Sequence, residues 1–209
     1  MELLDFVVTI IFVTASGALA PGPLFFANLT KGSKFGAKAG IIFSVAHTLV
    51  EFMLVMILAF GLLIISTELV KIVVGVVGGF VLVAFGFLQV YGSLKPRKGS
   101  LQVEGETSPP YLLILGLAFT GLNPFFIIWW LTAGAQLIII SLEFASLPGV
   151  ILMYLCHVWM DYVWLTTTAH LAKRGMKIVG LRWYRVLLAF FGVVLVYFGF
   201  TFLASSIRI

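Results

Sequence analysis

Charge is what this sequence has least of. Only 10% of its 209 residues are Asp, Glu, Lys or Arg, against roughly 25% in an average soluble domain. The hydrophobic share is 62%, where soluble chains carry roughly 45–50%, and this excludes a water-soluble globule. Cysteine is almost missing. Cys156 is the single one, so there is no intrachain disulfide and no dithiol relay. No Gly-x-x-x-x-Gly-Lys-[Ser/Thr] motif occurs, which argues against ATP-driven work by this chain alone. No hydrolase-like set of nucleophile and base stands out either. The chain therefore reads as non-enzymatic and without a cofactor. The net charge of +5 does not point to nucleic acid, because the basic residues sit in short breaks between apolar runs. Membrane orientation and anionic lipid account for them.

What is present is a set of six apolar stretches, at residues 3–29, 38–65, 69–93, 110–140, 147–172 and 184–206. Each is long enough for a helix to cross the hydrocarbon, which takes about 20 residues. The start resembles a signal peptide, but it carries Glu2 and Asp5 where a signal peptide carries positive charge. It reads as the first half of a broken membrane helix. Eleven of the 13 basic residues fall in the first, third and fifth breaks: Lys31, Lys34 and Lys38, then Lys95, Arg97 and Lys98, then Lys173, Arg174, Lys177, Arg182 and Arg185. By the positive-inside rule those breaks are cytoplasmic and both termini lie outside.

The sequence also repeats. "APGPLFF" in the first stretch answers "LNPFF" in the fourth. "AHTLVEF" in the second answers "CHVWMDY" in the fifth. In the third and sixth, Gly79 aligns with Gly192, Gly86 with Gly199 and Ser93 with Ser206. The expected fold is thus all-α and integral to the membrane, with six helices as a 3+3 repeat. The first unit spans 1–95, a cytoplasmic linker 96–109, and the second unit 110–209. A unit with three crossings leaves its copy entering from the opposite side, so the repeat is inverted. That ground plan is common in secondary transporters, whose site lies at mid-membrane between the units.

Two acids lie deep in apolar runs, Glu51 and Asp161. Each follows a histidine by four residues, His47 and His157, which puts the two side chains on one helix face. A charge at that depth costs about 2.5–3.5 kcal/mol on insertion scales, so it must be paired, protonated or set at a polar cavity. Histidine changes charge near neutral pH, and a His–acid pair is suitable equipment for moving protons. Three readings stay open for these four residues: proton and substrate binding, a divalent metal site, or a neutral pair that ties two helices together in a non-transporting scaffold.

Proline marks a second pair of sites. Pro21, Gly22 and Pro23 interrupt the first stretch, and Asn123-Pro124 interrupts the fourth. Proline removes an N–H and clashes with the preceding turn. Broken helices at matching places in two repeats point to a transport site, and half-helix N-termini attract a carboxylate. Asn123 and Asn28 are polar on these helices and are placed to line a path, or for Asn28 to sit at the interface. The glycines of the third and sixth stretches suit close helix packing. His170 reads as interfacial. "FFIIWW" suits either a cavity wall or a lipid face.

The "APGP" helix with its basic loop, the "GLNP" that opens the second half, and "RWYRVLLAFFGVVLVYFGF" at the end together resemble the LysE/RhtB-type amino-acid exporter family, over nearly the whole chain. Pro21, Gly22, Pro23, Asn123 and Pro124 fall on that family's motif positions. Phe125 stands where the family usually has lysine, and His-x-x-x-Glu is unusual for its second helix. The resemblance implies a six-helix exporter of amino acids in the cell membrane, driven by protons and dimeric. The wider superfamily also includes metal-ion exporters. The expected function is export of a small amino acid or derivative by proton antiport, with divalent cation export as the alternative.

Overall fold

A computed structural model describes residues 2–19, 22–65, 67–94, 108–174 and 181–207. Every element among them is helical. Helix α1 (Leu3–Ala18) ends at Leu19, α2 (Pro23–Phe35) begins after Gly22, and the two are bent by 68°. Pro23 occupies the first turn of α2, where a missing N–H leaves no bond unmade. The residue that interrupts one helix therefore starts the next. Pro21 lies outside the described residues.

The first basic break is shorter than the sequence suggests. α2 continues through Lys31 and Lys34 to Phe35, and Gly36 at φ 62° turns the chain directly into α3 (Ala37–Ile65). That left-handed backbone favours glycine, and the Lys173 side chain packs where a Cβ would stand. Lys31, expected in a loop, is buried on α2, its ammonium 5.2 Å from the centre of the Tyr111 ring. The reason is close packing: a Cβ on Gly32 would meet the Ala169 backbone at 2.7 Å, so α2 stays helical while it lies against a neighbour.

α4 (Glu68–Leu94) follows. The expected linker lies outside the described residues except for Ser108 and Pro109, where α5 (Pro109–Gly121) begins. Leu122 ends α5, and the Asn123 side chain accepts the Phe125 N–H at 3.1 Å to cap α6 (Pro124–Trp129). A π-helical turn, Trp130–Gly134, leads into α7 (Ala135–Lys173). The expected loop around "SLEFASLP" is instead a two-residue break: Ala145 (φ −155°) and Ser146 (φ 53°) leave the helical region just before Pro148. The run Phe125–Lys173 has 49 residues. At 1.5 Å per residue it would be about 74 Å long, more than twice the ~30 Å hydrocarbon, and the break divides it. α8 (Leu181–Ile207) closes the chain.

The polarity is that of a protein dissolved in lipid. Ile41, Val45, Leu49, Phe52, Ile57 and Phe60 run down the outside of α3, all exposed. Inside, hydroxyls return to their own helices: Thr14 donates to the Ile10 carbonyl at 2.6 Å, Ser141 to Leu137 at 2.7 Å and Thr168 to Trp164 at 2.7 Å. A hydroxyl spent this way needs no water. Among the described residues, three helices are long and apolar enough to cross a membrane, or four when α1 and α2 count as one bent span.

α4 and α8 meet along glycine. A Cβ on Gly86 would lie 2.5 Å from the Gly192 carbonyl oxygen, and one on Gly192 would lie 2.8 Å from that of Gly86. The Gly79–Gly199 pair does the same, at 2.9 and 2.8 Å. α3 instead packs against α7 and α5, and that contact holds the polar groups.

Candidate functional site

His47 and Glu51 stand one turn apart on α3, and His157 and Asp161 one turn apart on α7. The helices bring them into a closed ring of alternating imidazole and carboxylate. His47 Nε2 lies 3.3 Å from Glu51 Oε1. Glu51 Oε1 lies 3.0 Å from His157 Nε2. His157 Nε2 lies 3.2 Å from Asp161 Oδ2, and Asp161 Oδ2 lies 4.0 Å from His47 Nε2. The side chains of Glu51, His157 and Asp161 are at most 4% exposed and that of His47 14%, so His47 is the member that faces the surroundings.

The ring is imperfectly satisfied. Glu51 Oε1 has three nitrogens within reach, the two imidazoles and the Trp130 indole N–H, which donates to it at 3.2 Å. Yet Glu51 Oε2 and His157 Nδ1 are buried with no hydrogen-bond partner among the described residues, and Asp161 Oδ2, also buried, meets the His157 imidazole at 3.2 Å as an ion-pair contact. Such orphaned groups are costly in a purely structural network. His157 Nε2 lies within 0.2 Å of equidistance between the two carboxylates, so a proton it releases to either acid travels the same short distance.

The broken helices reach this ring. Thr120, in the last turn of α5, has its Oγ1 3.1 Å from His47 Nδ1. Phe126 on α6 sets its ring edge-on to His47, centroids 5.4 Å apart. The π turn places Trp130 over His157, centroids 5.8 Å apart. The two breaks also face each other, since a Cβ on Gly22 would lie 3.6 Å from Asn123 Nδ2. Pro23 and Pro124 each begin the helix beyond a break. Asn123 spends its Oδ1 on the α6 cap, which leaves its amide nitrogen toward Gly22.

Some expected residues lie elsewhere. Asn28 is fully buried, not interfacial: its amide donates to the Leu165 carbonyl at 2.9 Å and to Thr168 Oγ1 at 3.0 Å, tying α2 to α7. His170 is exposed in the last turn of α7. "FFIIWW" faces both ways, with Trp129 and Trp130 buried and Ile128 exposed. Trp130, Thr120 and Tyr154, whose hydroxyl donates to the Thr48 carbonyl at 3.2 Å, were not singled out by sequence. For Trp130 the one available signal was general: a buried indole N–H needs an acceptor.

An apolar exterior around a buried carboxylate–imidazole ring, flanked by two helix breaks, defines a multi-pass membrane protein with a polar site in its interior. The comparison of families agrees. The model of the LysE type translocator family matches residues 15–206, and the chain belongs to that family. No curated protein and no solved structure matches the chain.

Proposed function

We propose that this translocator is a secondary transporter, not an enzyme, which exports a small amino acid or derivative across the cell membrane in exchange for protons. The observation that carries the reading is the ring of His47, Glu51, His157 and Asp161 between α3 and α7, with Glu51 Oε2 left unsatisfied among the described residues. Two carboxylates bridged by one imidazole give a proton alternative resting places at little separation, and histidine is the side chain that exchanges protons near neutral pH. The substrate carboxylate is received at the start of α2, beside Gly22 and the Asn123 amide nitrogen, where the helix N-terminus is partly positive. Contact through Thr120 and Phe126 couples that place to His47.

The fold in this reading has six crossings, as inverted units 1–95 and 110–209 with both termini outside, and the active form is a homodimer. Reciprocal contacts support the inversion. The alignment of Gly79 with Gly192 and Gly86 with Gly199 carries the contact Gly79–Gly199 onto Gly192–Gly86, and both occur. It carries Val83 beside Gly199 onto Val196 beside Gly86, and a Cβ added at either glycine would lie 2.6 Å from that valine's Cγ2. The alignment of His47 with His157 and Glu51 with Asp161, in its own register, carries His157–Glu51 onto His47–Asp161. Pairings that exchange in this way are what a pseudo-twofold axis requires, and three crossings per unit put that axis in the membrane plane.

A scaffold would also bond the two His–acid pairs to each other, as here. Membership of a translocator family and the orphaned Glu51 Oε2 weigh against that reading. Reconstituted vesicles with an imposed pH gradient test the proposal. Glu51→Gln and Asp161→Asn each reduce proton-driven amino-acid flux to the level of protein-free vesicles. Unchanged flux in both variants overturns it.

A further inference from the structure

The same ring has the size and donor set of a cation site. Its sides run 3.3, 3.0, 3.2 and 4.0 Å. Zn²⁺ bonds to nitrogen and oxygen run about 2.0–2.2 Å, so one ion reaches ligand atoms that lie within a few ångström of one another. Ligand atoms of His47, Glu51 and Asp161 all lie within 4.8 Å of one another.

Charge and hydrogen bonding favour the same occupant. With neutral imidazoles the four groups carry two negative charges, which one divalent cation cancels inside a low-dielectric interior. Asp161 Oδ2 is buried and faces the two imidazole nitrogens, at 3.2 Å from His157 and 4.0 Å from His47. His47 Nδ1 is 3.1 Å from Thr120 Oγ1, the outer hydrogen bond that fixes the ring of a ligating histidine. His157 Nε2 lies 3.0 and 3.2 Å from the two carboxylates and supports them from outside the set of three. Imidazole with two carboxylates suits first-row divalent cations. Mg²⁺ and Ca²⁺ prefer six or more oxygens.

We propose that His47, Glu51 and Asp161, with His157 as a supporting partner of both carboxylates, form a binding site for a first-row divalent cation of the Zn²⁺ type that bridges α3 and α7. The proposal uses the ring described above but does not depend on which solute is exported. The purified full chain in detergent is titrated with ZnCl₂ and with MgCl₂, by calorimetry and by thermal unfolding. One Zn²⁺ binds per chain and raises the midpoint, and Mg²⁺ does neither. Glu51→Gln and Asp161→Asn abolish binding, His157→Asn weakens it about tenfold, in the range seen for a lost supporting contact at a metal, and His170→Ala leaves it intact. No saturable Zn²⁺ binding by the wild type, or binding that survives both carboxylate substitutions, overturns the proposal. X-ray absorption of the Zn²⁺-loaded wild type does not depend on any variant folding. It gives a nitrogen and oxygen shell with imidazole scattering, and a shell without imidazole overturns the proposal equally. Flux assays run in chelator read the proton reaction alone, so the two readings fail separately.

Discussion

The two central seams of the molecule are built from opposite materials. α4 and α8 meet on bare backbone, through Gly79, Gly86, Gly192 and Gly199. α3 and α7 meet on two acids and two histidines. Between helices in lipid, close packing of small residues is the main source of affinity, because lipid tails are as apolar as the side chains they touch. The glycine seam therefore has one good arrangement, and any side chain spoils it. The ionic seam is held by groups whose attraction depends on where the protons are. One seam suits a fixed hinge between the two halves. The other suits a contact that is remade in each transport cycle.

Gly86→Leu breaks the fixed seam and should have the largest effect on stability. Even a Cβ at Gly86 would sit 2.5 Å from the Gly192 carbonyl oxygen and 2.6 Å from Val196 Cγ2. Backbone cannot give way as a flexible side-chain end can, so the helices must separate along their length. Loss of the monodisperse protein peak in detergent is expected. A variant that purifies with an unchanged melting midpoint would show that α4 and α8 do not depend on this contact.

Trp130 sharpens the other side of the comparison. Its indole N–H donates to Glu51 Oε1 at 3.2 Å from a buried position. Trp130→Phe keeps most of the ring and removes the donor, at a cost of about 1.5–3 kcal/mol for a hydrogen bond to a charged group. Trp130→Ala also opens a cavity and costs about 3–5 kcal/mol. Both substitutions should lower proton-driven flux, while the phenylalanine variant keeps most of its thermal stability. Equal melting midpoints for the two variants would mean that the N–H, not the packing of the ring, is what the site requires.

These residues also divide what sequence reveals from what it conceals. Glu51 and Asp161 stood out because an acid inside an apolar run is rare and expensive, and the i,i+4 histidines announced a shared face. Pro23 and Pro124 marked real helix starts because proline's missing N–H is a local fact. That His157 bonds Glu51, 106 residues away, is not local, since helix periodicity does not say which helix is the neighbour. Trp130 was hidden for the same reason, and because the π turn that aims it has no compositional mark. Lys31 misled in the other direction. A lysine among Gly and Ser reads as loop, yet packing of Gly32 on Ala169 keeps α2 helical and folds the lysine stem inward.

Gly61 supplies the smallest effect and the control for the comparison. It lies on α3, away from both seams, and a Cβ there would meet nothing within 4 Å. Gly61→Ala fills no contact and strains none, so only the intrinsic gain applies. Alanine is favoured over glycine in a helix by about 0.8–1 kcal/mol, partly because the unfolded chain has less freedom to lose. The melting midpoint should therefore stay constant or rise slightly, with flux unchanged. Gly86→Ala adds the same single methyl on α4 but against the Gly192 backbone, where overpacking of this kind costs about 1–3 kcal/mol. The opposite signs are the test. Should both substitutions destabilise alike, loss of glycine in any of these helices would be the cause, and the seam between α4 and α8 would have no special claim.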